Sequence, residues 1–158
     1  MKALTTLVFT LLFFSSQAQT QVCENLKTTE ESNGYKTRMT YPDAPIILIK
    51  SWNDEQEYFF VSLTVYDNYL TSPQPGVEIF LTQNYVISDE NAEVSFEKSD
   101  NPSYKYMYKS FFKITQLQAM NLGMLDLLMI KLYIFDQEVD SEFQTTFRKE
   151  ANCIAFDH

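Results

Sequence analysis

From Tyr58 to Tyr66 the chain alternates without a break. Phe59, Val61, Leu63 and Val65 share one parity; Tyr58, Phe60, Ser62, Thr64 and Tyr66 share the other. A repeat of two is the signature of a β-strand, because successive side chains leave opposite faces of the pleat. This run therefore commits the segment to a sheet, with both faces partly apolar. Similar runs recur between turn signals. Ile46 to Ser51 follows Pro45, and Val77, Ile79 and Leu81 follow the loop composition Ser72-Pro73-Gln74-Pro75-Gly76. Val94 and Phe96 mark a short strand, and Tyr104 to Phe112 resumes the alternation after Ser99-Asp100-Asn101-Pro102. Strands separated by such turns predict antiparallel pairing. Leu125 to Asp136 reads as the strongest strand, with Leu128, Ile130, Leu132 and Ile134 on one face, and is expected at the centre of a sheet.

Two segments break the period. Thr115 is placed to cap a short helix holding Leu117, Met120 and Asn121, with Gly123 as its stop. Between 141 and 154, Ser141 and Gln144 have capping-box spacing, and Phe143, Phe147, Ala151 and Ile154 fall on one helical stripe. Glu150 lies in that stripe and Phe143-Thr145-Phe147 also fits a strand, but helix is the preferred reading. The expected fold is mainly β (α+β): an antiparallel sheet or β-sandwich with one or two short helices, the clearer one near the C-terminus.

The first residues have a different character. Lys2 precedes an uncharged apolar run from Leu4 to Phe14, and Ser16-Gln17-Ala18 places small residues before Gln19. That order is the layout of a secretory signal peptide. The run is about eleven residues, short of the roughly 20 that span a bilayer as a helix. Residues 1–18 are thus expected to be a signal peptide and 19–158 a single β-rich globular domain, exported to a periplasm or the extracellular space. The general look is of a small exported bacterial protein, with no membrane span once the signal is removed. Cys23 and Cys153, the two cysteines, predict one disulfide in an oxidising compartment.

Charge narrows the partners. The whole chain carries a net charge of -9, and loss of Lys2 makes the remainder slightly more acidic. Phosphate neutralisation needs clustered Lys and Arg, so no nucleic acid partner is expected.

Enzyme signatures are sparse. His158, the single histidine, is the last residue, and a nucleophile pair needs a positioned base. Gly34, Gly76 and Gly123 form neither a phosphate-cradling loop nor a Gly-x-Ser-x-Gly elbow. No catalytic residue, cofactor or metal ligand is assigned. Acid-rich stretches such as Asn53-Asp54-Glu55 and Asp136-Gln137-Glu138 keep open a carboxylate-dependent hydrolase or a calcium site. The aromatic signal is more specific. Tyr104, Tyr106 and Tyr108 take alternate positions, with Lys105, Met107 and Lys109 on the other parity. They are either core or a platform for sugar rings or protein partners, and Trp52, the single tryptophan, flanks either arrangement. The expected function is a non-enzymatic interaction or ligand-binding module for a protein, a glycan or a small apolar ligand. The alternatives are a small extracytoplasmic hydrolase and an apolar-ligand carrier.

Overall fold

The alternation at Tyr58–Tyr66 becomes one strand of an antiparallel sheet in the computed structural model, which describes Cys23 and residues 26–156. The segment read as a signal peptide, residues 1–18, lies outside the described residues, as does His158. In chain order the strands are β1 (Thr28–Glu30), β2 (Lys36–Met39), β3 (Ile46–Trp52), β4 (Glu57–Asp67), β5 (Val77–Leu81), β6 (Tyr85–Asp89), β7 (Val94–Lys98) and β8 (Tyr106–Ile114). Helix α1 (Gln116–Met124) follows, then β9 (Leu127–Leu132), β10 (Phe135–Glu138) and helix α2 (Ser141–Phe156). The larger sheet has six strands in the order β1-β2-β3-β4-β8-β7; the smaller has four, β10-β9-β5-β6. Every pairing is antiparallel. Among the described residues the fold is therefore mainly β, with two α-helical elements described in full, the longer at the C-terminal end.

The core lies between the sheets and under the helices. Ile46, Leu48, Val61 and Leu63 from the larger sheet meet Ile79, Ile130 and Leu132 from the smaller one, all fully buried. Burying each such side chain contributes about 1.5–3 kcal/mol. Helix α1 begins with a reciprocal cap: Gln118 N–H donates to the Thr115 hydroxyl, and Thr115 N–H donates to the Gln118 side chain. Gly123 does not stop this helix. It sits inside it, where a Cβ would lie 2.7 Å from Asn152 Cα, so its lack of a side chain lets α1 approach α2 closely there.

Helix α2 resolves the ambiguity at 141–154. Its first turn is capped by Asp140, whose Oδ1 accepts from Phe143 N–H at 2.9 Å, one residue before the expected cap at Ser141. Gln144 instead donates to the Val139 carbonyl. Glu150, the residue out of place in the apolar stripe, accepts from Tyr41 N–H at 3.0 Å. Cys153, on the same helix, is disulfide-bonded to Cys23 with a Cα–Cα distance of 5.3 Å, within the usual range for such a bridge.

The run from Leu125 to Asp136 is not one strand. It is a hairpin, β9 and β10, with Leu132 opposite Phe135 and Tyr133-Ile134 forming the turn. Tyr133 takes φ +56°, a conformation that costs a non-glycine residue about 1–2 kcal/mol. Its N–H donates to the Gly76 carbonyl at 2.9 Å, so a contact from a distant loop helps hold the bend. A register shift between Phe80 and Leu81 pairs Leu81 with Leu127 and Phe80 with Met129. The extra residue, Leu128, is turned out to solvent while Leu127 is buried. Strand β9 does lie inside its sheet, between β10 and β5. Among the described residues, no helix is long and apolar enough to cross a membrane.

Candidate functional site

Strand β8 places the tyrosines differently from one another. Tyr108 is 0% exposed and stacks on Phe135 with ring centroids 4.1 Å apart. Its hydroxyl donates to the Tyr69 carbonyl at 2.7 Å and accepts from Thr71 N–H at 3.2 Å. Both hydrogen-bonding capacities of the phenol are used to pin the loop after β4. Tyr106 is half-buried against the core. Tyr104 precedes the strand, is exposed, and packs on Tyr66 at 5.6 Å. Alternation does not extend back to Tyr104, so the three do not form one platform. Lys109 and Lys113 take the solvent side of the same strand, so Tyr108 faces inward.

Trp52 has a more developed setting. Strand β3 runs inward-facing at Ile46, Leu48 and Lys50, with Trp52 on the same parity at its end. Lys50 is only 7% exposed, although it is a cation at a position that should be core. Burying an ammonium is costly unless it is paired. Its Nζ lies 3.1 Å from Glu57 Oε2, 5.7 Å from the centre of the Trp52 ring and 5.6 Å from that of Phe59. Pairing across the sheet explains the assembly: Arg38 is opposite Lys50, Lys50 opposite Phe59, and Trp52 opposite Glu57. The Arg38 guanidinium lies 6.0 Å from the indole and donates through Nε to the Thr28 hydroxyl at 3.0 Å.

Arg38, Lys50, Trp52 and Glu57 help line a recess of about 530 Å³. Its rim is the hairpin loop 53–56 and its far wall is Ile154 of α2, the residue after the disulfide-bonded Cys153. The rim is pre-shaped. Asn53 Oδ1 accepts from the backbone N–H of both Glu55 and Gln56, at 2.9 and 2.8 Å, and Asn53 N–H donates to the Gln56 carbonyl. The acids Asp54 and Glu55 stand exposed on that rim. A cationic floor beside an indole, under a rim of carboxylates and amides, can hold a polar ligand with a flat apolar face.

Lys50, Arg38 and Glu57 escaped the reading of the sequence, which treated 46–51 as an apolar run. The signal was present in the parity: a lysine two residues after Leu48 and four after Ile46 falls on the buried side of that strand. Two other surfaces have some of the character of a site. A hollow of about 610 Å³ is lined by Leu26, Met39, Tyr41 and Pro42, with Thr146 and Glu150 of α2 at its side. The outer face of the larger sheet carries Phe60 stacked on Phe111 at 5.2 Å, Phe111 being 59% exposed, and Lys113 lies 4.2 Å over Tyr58. Among the described residues, no group of three or more His, Cys, Asp or Glu is placed to hold a metal ion. Comparison with family models, curated proteins and solved structures finds no match to this chain.

Proposed function

We propose that this chain is an exported, non-enzymatic binding module of the cell envelope or extracellular space, with its ligand seat in the recess beside Trp52. The observation that carries this reading is Lys50, a cation kept almost wholly from solvent at the floor of an open recess, next to the single indole. A purely structural strand gains little from a lysine there, because an apolar residue would fill the position without a desolvation cost. Export is supported by the Cys23–Cys153 disulfide, which oxidising compartments preserve, and by the signal-like order of residues 1–18.

The test is a melting-temperature panel of neutral and acidic saccharides, fatty acids, and calcium with a chelator control, run on the secreted, oxidised protein. A ligand that binds only the native state adds about 2.7 kcal/mol at a hundredfold excess over Kd. That moves the midpoint by several degrees for a domain of this size. The expected result is a shift with a saccharide that Trp52→Ala removes. A flat response, or a shift that Trp52→Ala leaves intact, would overturn the assignment of the seat. A second reading, a carrier of apolar ligands, is favoured by the hollow at Leu26, Met39, Tyr41 and Pro42. It expects the shift with fatty acids instead.

A further inference from the structure

We infer that the hollow beside α2 takes a free fatty acid, its chain against Met39, Tyr41 and Pro42 and its carboxylate at Lys27. This rests on the reading of the hollow as a ligand site and is independent of the recess at Trp52. The hollow holds about 610 Å³, within the range of small-ligand sites. Its apolar lining comes from Leu26 before β1, Met39 at the end of β2, and Tyr41 and Pro42 in the loop that follows. Tyr41 is 59% exposed, so a large ring here meets water rather than protein. An occupant that covers these side chains gains in proportion to the apolar surface removed from water.

The polar side chains around that apolar surface are already engaged by the fold. The Thr40 hydroxyl is almost fully buried and accepts from Leu48 N–H at 3.0 Å. The Thr29 hydroxyl donates to the Thr37 carbonyl at 3.3 Å, and that of Thr146 to the Glu142 carbonyl at 3.2 Å. Glu150 Oε2 accepts from Tyr41 N–H at 3.0 Å. A sugar entering here would give up water around many hydroxyls and find few replacements, which is costly. A hydrocarbon chain gives up no hydrogen bonds.

Lys27 is the exception. It lines the hollow and is exposed, and among the described residues nothing pairs with its ammonium, Glu150 included. In a chain of net charge -9, an unpaired cation beside an apolar hollow gives an anionic head a place to sit. Glu150 repels a carboxylate on the α2 side and so favours the Lys27 end. An ion pair in water is weak and screened by salt. The chain therefore supplies most of the affinity, and Lys27 the orientation and the preference for an anion.

The experiment is isothermal titration calorimetry of the oxidised protein at low salt. The probes are dodecanoate, dodecanol and dodecyltrimethylammonium, each below its micelle concentration. The expected result is saturable binding of dodecanoate at one site, tighter than that of the cationic amphiphile. Lys27→Glu should weaken dodecanoate about tenfold and leave dodecanol within about twofold, as reversal of one exposed charge allows. Thr146→Phe, which puts a ring into the hollow from an exposed position on α2, should abolish binding of both. Lys27 is itself exposed, so Lys27→Glu keeps the test decisive should Thr146→Phe fail to fold. If Lys27→Glu changes dodecanoate and dodecanol alike, or neither, the carboxylate position is overturned while loss of binding in Thr146→Phe still upholds the hollow. Equal affinity for the cationic amphiphile would overturn the anionic head. Absence of binding by every probe, or binding that Thr146→Phe leaves intact, would overturn the hollow itself.

Discussion

The two ends of β3 share a strand and a face, yet their surroundings differ. At one end Ile46 and Leu48 are fully buried under opposing apolar side chains. At the other, Lys50 and Trp52 line a recess whose described lining includes Ile154 of α2. Nothing in the backbone changes between them; the register with β4 is continuous from Ile46 to Trp52. What changes is the setting. The covered end buries hydrocarbon, and the other end places an ammonium and an indole along the recess.

The comparison can be broken experimentally, most severely at the disulfide. Cys153 adjoins the recess wall, and replacing both Cys23 and Cys153 with Ser opens a loop of 130 residues. The chain-entropy model puts the loss at about 4–5 kcal/mol. Denaturant melts should show it, with Trp52 emission changing before the midpoint if the open end loosens first. Leu48→Ala tests the covered end. It leaves a cavity among fully buried neighbours and is expected to cost about 2–5 kcal/mol in the same melts.

The ion pair gives an unequal result that sharpens the contrast. Glu57→Gln removes the carboxylate 3.1 Å from a nearly buried ammonium and should cost about 1–3 kcal/mol. Tyr108→Phe, at a phenol serving two backbone partners, should lose about 1–2 kcal/mol. Lys50→Met should be the mildest, under about 1 kcal/mol, because the Glu57 left behind can face water. If Lys50→Met proves as damaging as Leu48→Ala, the two ends of the strand are one core and the distinction drawn above is wrong.

Much of the fold was legible because alternation survives wherever one face is covered and the other is not. Phe59 to Val65 stand buried on the parity the sequence assigned them, and the Thr115 cap lies at its expected place. The hairpin at Tyr133-Ile134 was not legible, since neither residue carries turn chemistry and part of what holds it comes from the Gly76 carbonyl. Strands β1, β2 and β6 were also missed: they are short, at or near sheet edges, and lack a sustained apolar parity. The site was half legible. Trp52 stands out as a lone indole, but its company does not, because Arg38 and Glu57 reach it through cross-strand pairing that local sequence does not encode. The tyrosines at 104, 106 and 108 showed the reverse problem. A regular spacing there suggested one surface, and the start of β8 at Tyr106 divided it.

The bridge between Cys23 and Cys153 also sets how the molecule answers force. The two cysteines lie near opposite ends of the chain, with both sheets contained in the closed loop between them. A pull applied through the segments outside that loop passes from one backbone to the other across the sulfur–sulfur bond and bypasses every strand. While the bond is intact, tension along the chain cannot peel the sheets apart; once it is reduced, the same tension falls on the hydrogen-bonded ladders and can extend the chain by the full length of the loop.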